Sequence, residues 1–458
     1  MRNQAKRPPE MMTMQTQFRR TLAAIAPLLT LSLMLFSCSS DLVAPGNAQR
    51  DAKVSFGPEQ RLGHIEKNPS TPFLRYSPDG RLFAIWTEDH DTPWPQETQA
   101  AKRPHGSGDR APSPMRNALL AWSADGGKTW SSARRVNDAV EAVQGEENGP
   151  KVAFVDKQAY VVWSIPGGKG DKTRANVRFA MTDGKGGFTA ARTLNEVKDT
   201  ARFPIIESTP DGTLLVAWID RRIDNPKPRQ LYLMRLSPDG KALTKNYQVG
   251  EGLCECCKLG SAFADSGKTV YMVDRQVNAN KIRNHVLRKS ADGAATFGAP
   301  VEISDDGWQV PSCPHSGPSI GRDSRGYLHV SWFTLGRSET EAGIYYSVSK
   351  DDGKSFAPRR LVQANTAPET LYATLAVGDD DRVYLAWSNL DGNNKTQIFI
   401  RTLAPDGYTW SAIQQISRAK GNASRPVLAL AKNQLHVAWT ETDGEDSRVV
   451  LRSGTVEK

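Results

Sequence analysis

Four of the five cysteines in this 458-residue chain fall in two short stretches, Cys254-Glu255-Cys256-Cys257 and Cys313-Pro314-His315. Such a cluster can do three kinds of chemistry. In an oxidising compartment the thiols pair, and four of them allow three pairings. A vicinal Cys256–Cys257 bridge with a Cys254–Cys313 bridge is one of these. Thiolates from Cys254, Cys256, Cys257 and Cys313 with the His315 imidazole would instead make a soft metal site, suited to Cu(I) or Zn. An unpaired thiol left over would be open to redox exchange. Spacing alone does not separate the three.

The compartment is read from the other end of the chain. Met1–Arg20 carries Arg2, Lys6, Arg7, Arg19 and Arg20 against Glu10, and Thr21–Ser37 is uncharged. That run is short for a membrane span, and its basic front fits an export signal. It ends Leu35-Phe36-Ser37-Cys38-Ser39-Ser40, which resembles the lipobox of bacterial lipoproteins. The resemblance implies acylation of Cys38, a signal peptide over 1–37 and a polar tether over 38–52. Ser39 and Ser40 imply sorting to the outer membrane. Removing Met1–Ser37 takes away five basic groups and one acid, lowering the formal charge from +9 to +5. The remaining excess is scattered, with no basic run interleaved with aromatics, so nucleic acid is not an expected partner. The expected partners are a glycan or an envelope protein, and the membrane through the lipid anchor; the protein is expected to be a monomer.

The mature chain repeats one unit. Strand-like runs end at Trp86, Trp163, Trp218, Val273, Trp332, Trp387 and Trp439, at intervals of 77, 55, 55, 59, 55 and 52 residues. Each is preceded by a short apolar run, in most units opening on a proline (Pro72, Pro150, Pro204, Pro318, Pro426). Proline lacks a ladder donor and suits the first residue of a strand. Two further strands follow, separated by an Asp/Gly turn. Four strands in about 50 residues, seven times over, predict an all-β, seven-bladed β-propeller over 53–458, with six blades as the alternative. The seventh unit stops after Arg448–Gly454, and Val54–Gly63 reads like its missing fourth strand. The N-terminal strand is therefore expected to close the last blade. The first interval is long because of a Pro- and charge-rich insertion, Thr87–Arg116, which contains Asp89, His90, Asp91, Trp94 and His105. It is expected on the site face.

The turns after the third strands, Ser123–Trp130, Ser290–Phe297 and Ser349–Phe356, match the pattern Ser-x-Asp-x-Gly-x-Thr/Ser-Trp/Phe with one Gly-to-Ala exchange. This resembles the Asp-box, or BNR, repeat, in which the Asp caps turn amides and the aromatic packs back on the blade. A second segment, Arg202-Phe203-Pro204-Ile205-Ile206 followed by Leu214–Arg222, resembles the Arg-Ile-Pro strand of exo-α-sialidases. That resemblance implies that Arg202 binds a substrate carboxylate, to which a guanidinium is geometrically matched. Arg221, Arg222 and Asp224 would lie nearby, and Arg425 would be a second rim arginine. Tyr372 with Glu369 would play the nucleophile and its activating acid. Sialidase propellers have six blades with this strand in the first, whereas here it is in the third of seven units.

Two functions follow as expectations. One is a cell-envelope lipoprotein that binds glycans or hydrolyses them as an exo-α-sialidase does; its catalytic form requires Arg202, Arg425 and Tyr372 to share a pocket. The other is a non-hydrolytic envelope protein with a metal or thiol–disulfide site on the propeller face.

Overall fold

The computed structural model describes residues 54–63, 67–90, 115–139, 141–168, 174–223, 229–255, 257–309, 315–365 and 372–457. Cys38, the signal peptide and the tether lie outside the described residues, as do Asp224, Cys256, Cys313 and Glu369. No helix among the described residues is long and apolar enough to cross a membrane.

The described chain is all-β, and its regular elements are antiparallel strands with a few single-turn 3-10 segments. All seven apolar runs found in the sequence are second strands. Leu82–Asp89, Gln158–Pro166, Leu214–Asp220, Thr269–Val277, Leu328–Thr334, Val383–Leu390 and Gln434–Asp443 each pair with the strand before and the strand after in chain order. Their tryptophans are fixed by burial: Trp86, Trp163, Trp218, Trp332, Trp387 and Trp439 are at most 1% exposed. Each indole removes a large apolar area from water. In three strands its N–H is satisfied by an acid two residues on, at 2.7 Å (Trp86 to Glu88), 2.8 Å (Trp218 to Asp220) and 3.1 Å (Trp439 to Glu441).

The described strands form six hydrogen-bonded sheets, one of them eight-stranded. In that sheet the set Ala201–Ser208 to Tyr247–Leu253 is joined to the set Gly260–Ala264 to Val301–Gln309 by one pairing, Leu253 with Gln276. Another sheet takes its outer edge from the start of the described chain. Val54–Phe56 and Gln60–Leu62 both pair antiparallel with Asp446–Val456, Val54 opposite Val456 and Gln60 opposite Leu451. This pairing removes an exposed edge. The first strands of the sheets line one central cavity, which makes the architecture a β-propeller.

The Asp-containing turns are held as their composition requires. Asp125 accepts from the Ser123 hydroxyl at 2.7 Å and the Thr129 amide at 2.9 Å, and Asp292 and Asp351 repeat the arrangement. Register puts these turns at one end of the sheets and the inner-strand entries at the other. Ser123 sits opposite Leu82, while Arg116 sits opposite Asp89, at the end where the inner strand begins.

Candidate functional site

The inner strands enter the channel through an unusual backbone. Thr71, Phe203 and Arg425 each stand immediately before a proline and each has φ between 55° and 57°. Register breaks at the same places, between Ser70 and Phe73, Arg202 and Ile205, and Ser424 and Val427. These are β-bulges, which re-aim side chains at the cost of a left-handed residue. Glu146 and His315, in the loops before two other inner strands, are also left-handed, with φ of 59° and 49°.

A 3-10 turn, Glu146–Asn148, lies across this mouth. The Glu146 amide donates to Thr71 Oγ1 at 2.9 Å, and its carboxylate pairs with Arg425 at 3.3 Å. The buried Glu147 carboxylate accepts the Lys258 amide at 2.8 Å and the Gly317 amide at 3.1 Å. Asn148 Oδ1 accepts the Phe203 amide at 2.9 Å. The turn therefore ties together inner-strand entries from five other units of the ring. Two glycines permit this approach. A Cβ on Gly149 would lie 2.2 Å from Thr71 Cγ2, and one on Gly317 would lie 2.2 Å from the Lys258 carbonyl oxygen.

Beneath the turn is a cavity of about 380 Å³. At its mouth Arg425 Nη2 donates to the Tyr372 hydroxyl at 2.9 Å, and the guanidinium carbon lies 4.5 Å from the centroid of the same ring. Arg425 Nε is buried and has no hydrogen-bond partner among the described residues. Burial pushes the Tyr372 phenol up to about 12, although Arg425 pulls the other way. The phenol is thus held protonated at neutral pH. Deeper in, Lys151 Nζ donates to the Gly149 carbonyl at 2.9 Å and stands 5.4 Å from the Phe73 ring centroid. Burial, reinforced by the Lys258 charge, lowers Lys151 to about 7. Burial also raises the Glu147 carboxyl, opposed by Lys258 and by the two amide bonds. At the far end Arg75 pairs with Glu207 at 2.8 Å, and Ser261 donates to the same carboxylate.

The residues singled out in the sequence divide. Tyr372 and Arg425 meet in the cavity. Arg202 does not line it. Its guanidinium lies 4.7 Å from the Phe203 ring, in a recess of about 10 Å³ shared with Arg221, Arg229 and Glu255. The reason is a one-residue offset: the residue before the inner-strand proline is Arg425 in one unit but Phe203 in the other, so Arg202 matches Ser424. Arg222 is committed elsewhere, in a bidentate pair with buried Asp220 at 3.0 and 2.9 Å and over the Tyr232 ring. Cys254 and Cys257 are buried in the apolar core, with their Sγ atoms 3.8 Å apart, beyond the covalent S–S length of about 2.05 Å. His315 is half-buried at the left-handed position noted above. Among the described residues no cluster of three or more His, Cys, Asp or Glu side chains could hold a metal. Glu146, Glu147, Lys151 and Lys258 were not anticipated; the hint was Gly145 and Gly149 bracketing two acids before Pro150.

No protein-family model matches the chain, and neither does any curated protein sequence. Solved structures do. A protein of unknown function from Dyadobacter fermentans aligns with a TM-score of 0.52 at 15% identity, over 88% of this chain and 99% of that one. The polysaccharide lyase Uly1 aligns with a TM-score of 0.52 at 10% identity, over 91% and 94%. The NanB sialidase of Streptococcus pneumoniae, in a mutant form, aligns at 0.47 and 12% identity, over 88% and 70%. At such identities the first two likenesses are of fold, and the chain is similar in architecture to both.

Proposed function

We propose that the protein is a glycan-binding lipoprotein of the cell envelope, a seven-bladed Asp-box propeller that takes a saccharide at the mouth of its channel. The observation that carries the reading is the Tyr372–Arg425–Glu146 cluster on the lining of a cavity of about 380 Å³. The clustering of left-handed residues at the same rim supports the reading, since such strain concentrates at ligand sites. Phe73 and Tyr372 offer aromatic faces for a sugar ring. A similar fold carries a polysaccharide lyase.

Binding is favoured over sialidase-type hydrolysis. Arg202 stands outside the cavity that Tyr372 and Arg425 line, so the guanidinium that would hold a sialoside carboxylate is not beside the nucleophile candidate. The test is a glycan array probed with the mature protein and with Arg425→Ala, alongside a fluorogenic sialoside assay. The reading expects array signals that Arg425→Ala loses, and no turnover of the sialoside. Array signals unchanged in Arg425→Ala would sink it.

A second reading, a thiol–disulfide or metal site at the cysteines, is favoured by the 3.8 Å approach of Cys254 and Cys257. It expects Cys313 to be linked to one of Cys254, Cys256 and Cys257, or copper or zinc in protein purified from the periplasm. Four alkylatable thiols with no metal would end it.

A further inference from the structure

The charged groups lining the cavity do not cancel. Arg75 is paired with Glu207, and Arg425 with Glu146. Glu147 spends both carboxylate oxygens on the amides of Lys258 and Gly317. Lys151 has the Gly149 carbonyl as its one described acceptor, and no ion pair of Lys151 or Lys258 is found among the described residues. With Lys151 protonated, four cations face three carboxylates, which leaves one positive charge in the cavity. An ammonium has three donors, so most of the hydrogen-bonding capacity of these two groups is uncommitted.

We propose that Lys151 and Lys258 form a carboxylate seat inside the channel, so that the saccharide unit taken at the mouth carries a single negative charge. The inference rests on the glycan reading and names the ligand class. One carboxylate neutralises the excess charge, whereas a phosphate dianion would overshoot it. The volume agrees, since about 380 Å³ lies at the low end for ligand pockets and suits one sugar ring. Lys151 opens one inner strand and Lys258 lies two residues before another, and the charge of one acts on the other, so a bridging carboxylate also relieves their mutual repulsion. In this arrangement Arg425 and Tyr372 orient hydroxyl groups while the lysines hold the acid. The seat also explains why a lysine is kept in surroundings that disfavour its charge: the ligand restores it. Lys258, Glu147, Glu146, Arg425 and Tyr372 are the other titratable groups facing the seat, with the Arg75–Glu207 pair at the far end.

The test is calorimetric titration of the mature protein with glucuronate, glucose and acetate, repeated for Lys151→Met, Lys258→Met, Lys151→Arg and Arg425→Ala. Thermal unfolding of each variant establishes that it is folded, and lysine-selective 13C labelling follows the Lys151 Cε shift. The seat predicts that glucuronate binds and glucose binds at least tenfold more weakly. Each Met variant should weaken glucuronate at least tenfold, and Lys151→Arg should retain most of the affinity. Glucuronate binding that both Met variants retain would overturn the seat. Should no saccharide bind while acetate still shifts Lys151 in a Lys258-dependent way, the seat stands and the glycan reading falls. If neither acetate nor glucuronate binds, the seat is wrong.

Discussion

Glu147 is the residue whose removal should cost most at this site. The residue is 8% exposed, and its carboxylate satisfies two backbone amides from two other units, Lys258 at 2.8 Å and Gly317 at 3.1 Å. In Glu147→Ala both amides lose their acceptor in a buried place. At about 1–3 kcal/mol per orphaned amide the loss is about 2–6 kcal/mol. Release of a buried carboxylate from its desolvation penalty subtracts from this, so the lower half of the range is expected. Glu147→Gln keeps one acceptor oxygen but turns an N–H2 toward the second amide, so its cost is about 1–3 kcal/mol. Urea denaturation reads both values, and hydrogen exchange should show faster opening at Lys258 and Gly317. pH adds a check. Burial holds the folded carboxyl above its ordinary value, so the folded state binds a proton that the unfolded chain does not. Wild type should therefore gain stability over Glu147→Gln as pH falls from neutral toward the ordinary carboxylate value. An Ala variant within 0.5 kcal/mol of wild type at neutral pH, about the scatter of a neutral surface change, would refute the bridging role.

Arg222→Ala should destabilise by about 3 kcal/mol, because it strands the buried Asp220 carboxylate, yet leave saccharide affinity unchanged; lost affinity in a folded variant would return Arg222 to the site. Asp125→Ala should lower the unfolding temperature without touching ligand binding. Asp292 and Asp351 are held down to about 2, first by the hydroxyls of Thr296 and Ser355. Folded carboxyls depressed in this way contribute stability above the ordinary carboxylate value, and that stability is lost as pH falls through it toward 2; an acid limb of the stability curve identical in Asp292→Asn would contradict this. Lys151, lowered to about 7, gives a slope of the same sign in a higher window: stability should rise between pH 7 and the ordinary lysine value as the unfolded chain sheds its extra proton. Carboxylate binding should weaken over pH 7–9 as the folded amine loses its charge, and a flat profile would rule out a titrating seat.

Much of the scaffold was legible because it is periodic. Second strands such as Leu82–Asp89 open on an apolar run that reaches a tryptophan, and the Ser-x-Asp-x-Gly turns carry their own hydrogen-bond logic. The pairing of Val54–Leu62 with Asp446–Val456 followed from counting strands in the last unit. The site was less legible, for two physical reasons. A β-bulge shifts register by one residue, and one residue decides which face a side chain takes. Arg202 was selected by its motif, but the bulge carries Phe203 and Arg425 to the equivalent position. The turn Glu146–Asn148 has no period, and its meaning lies in contacts with residues far away in sequence, such as Glu147 with Gly317. The Trp-x-acid pairs at Trp86, Trp218 and Trp439 were readable and were missed, which is why Arg222 looked available when its partner Asp220 was already two residues away.

The most direct measurement is a crystal structure of the mature protein with the strongest saccharide from the array. The account predicts one sugar ring in the channel beneath Glu146–Asn148, with an oxygen within hydrogen-bond distance of the Arg425 guanidinium and its carboxylate between Lys151 and Lys258. A saccharide bound instead on the outer face of a sheet, or in the recess beside Arg202, with the channel left to water, would contradict it.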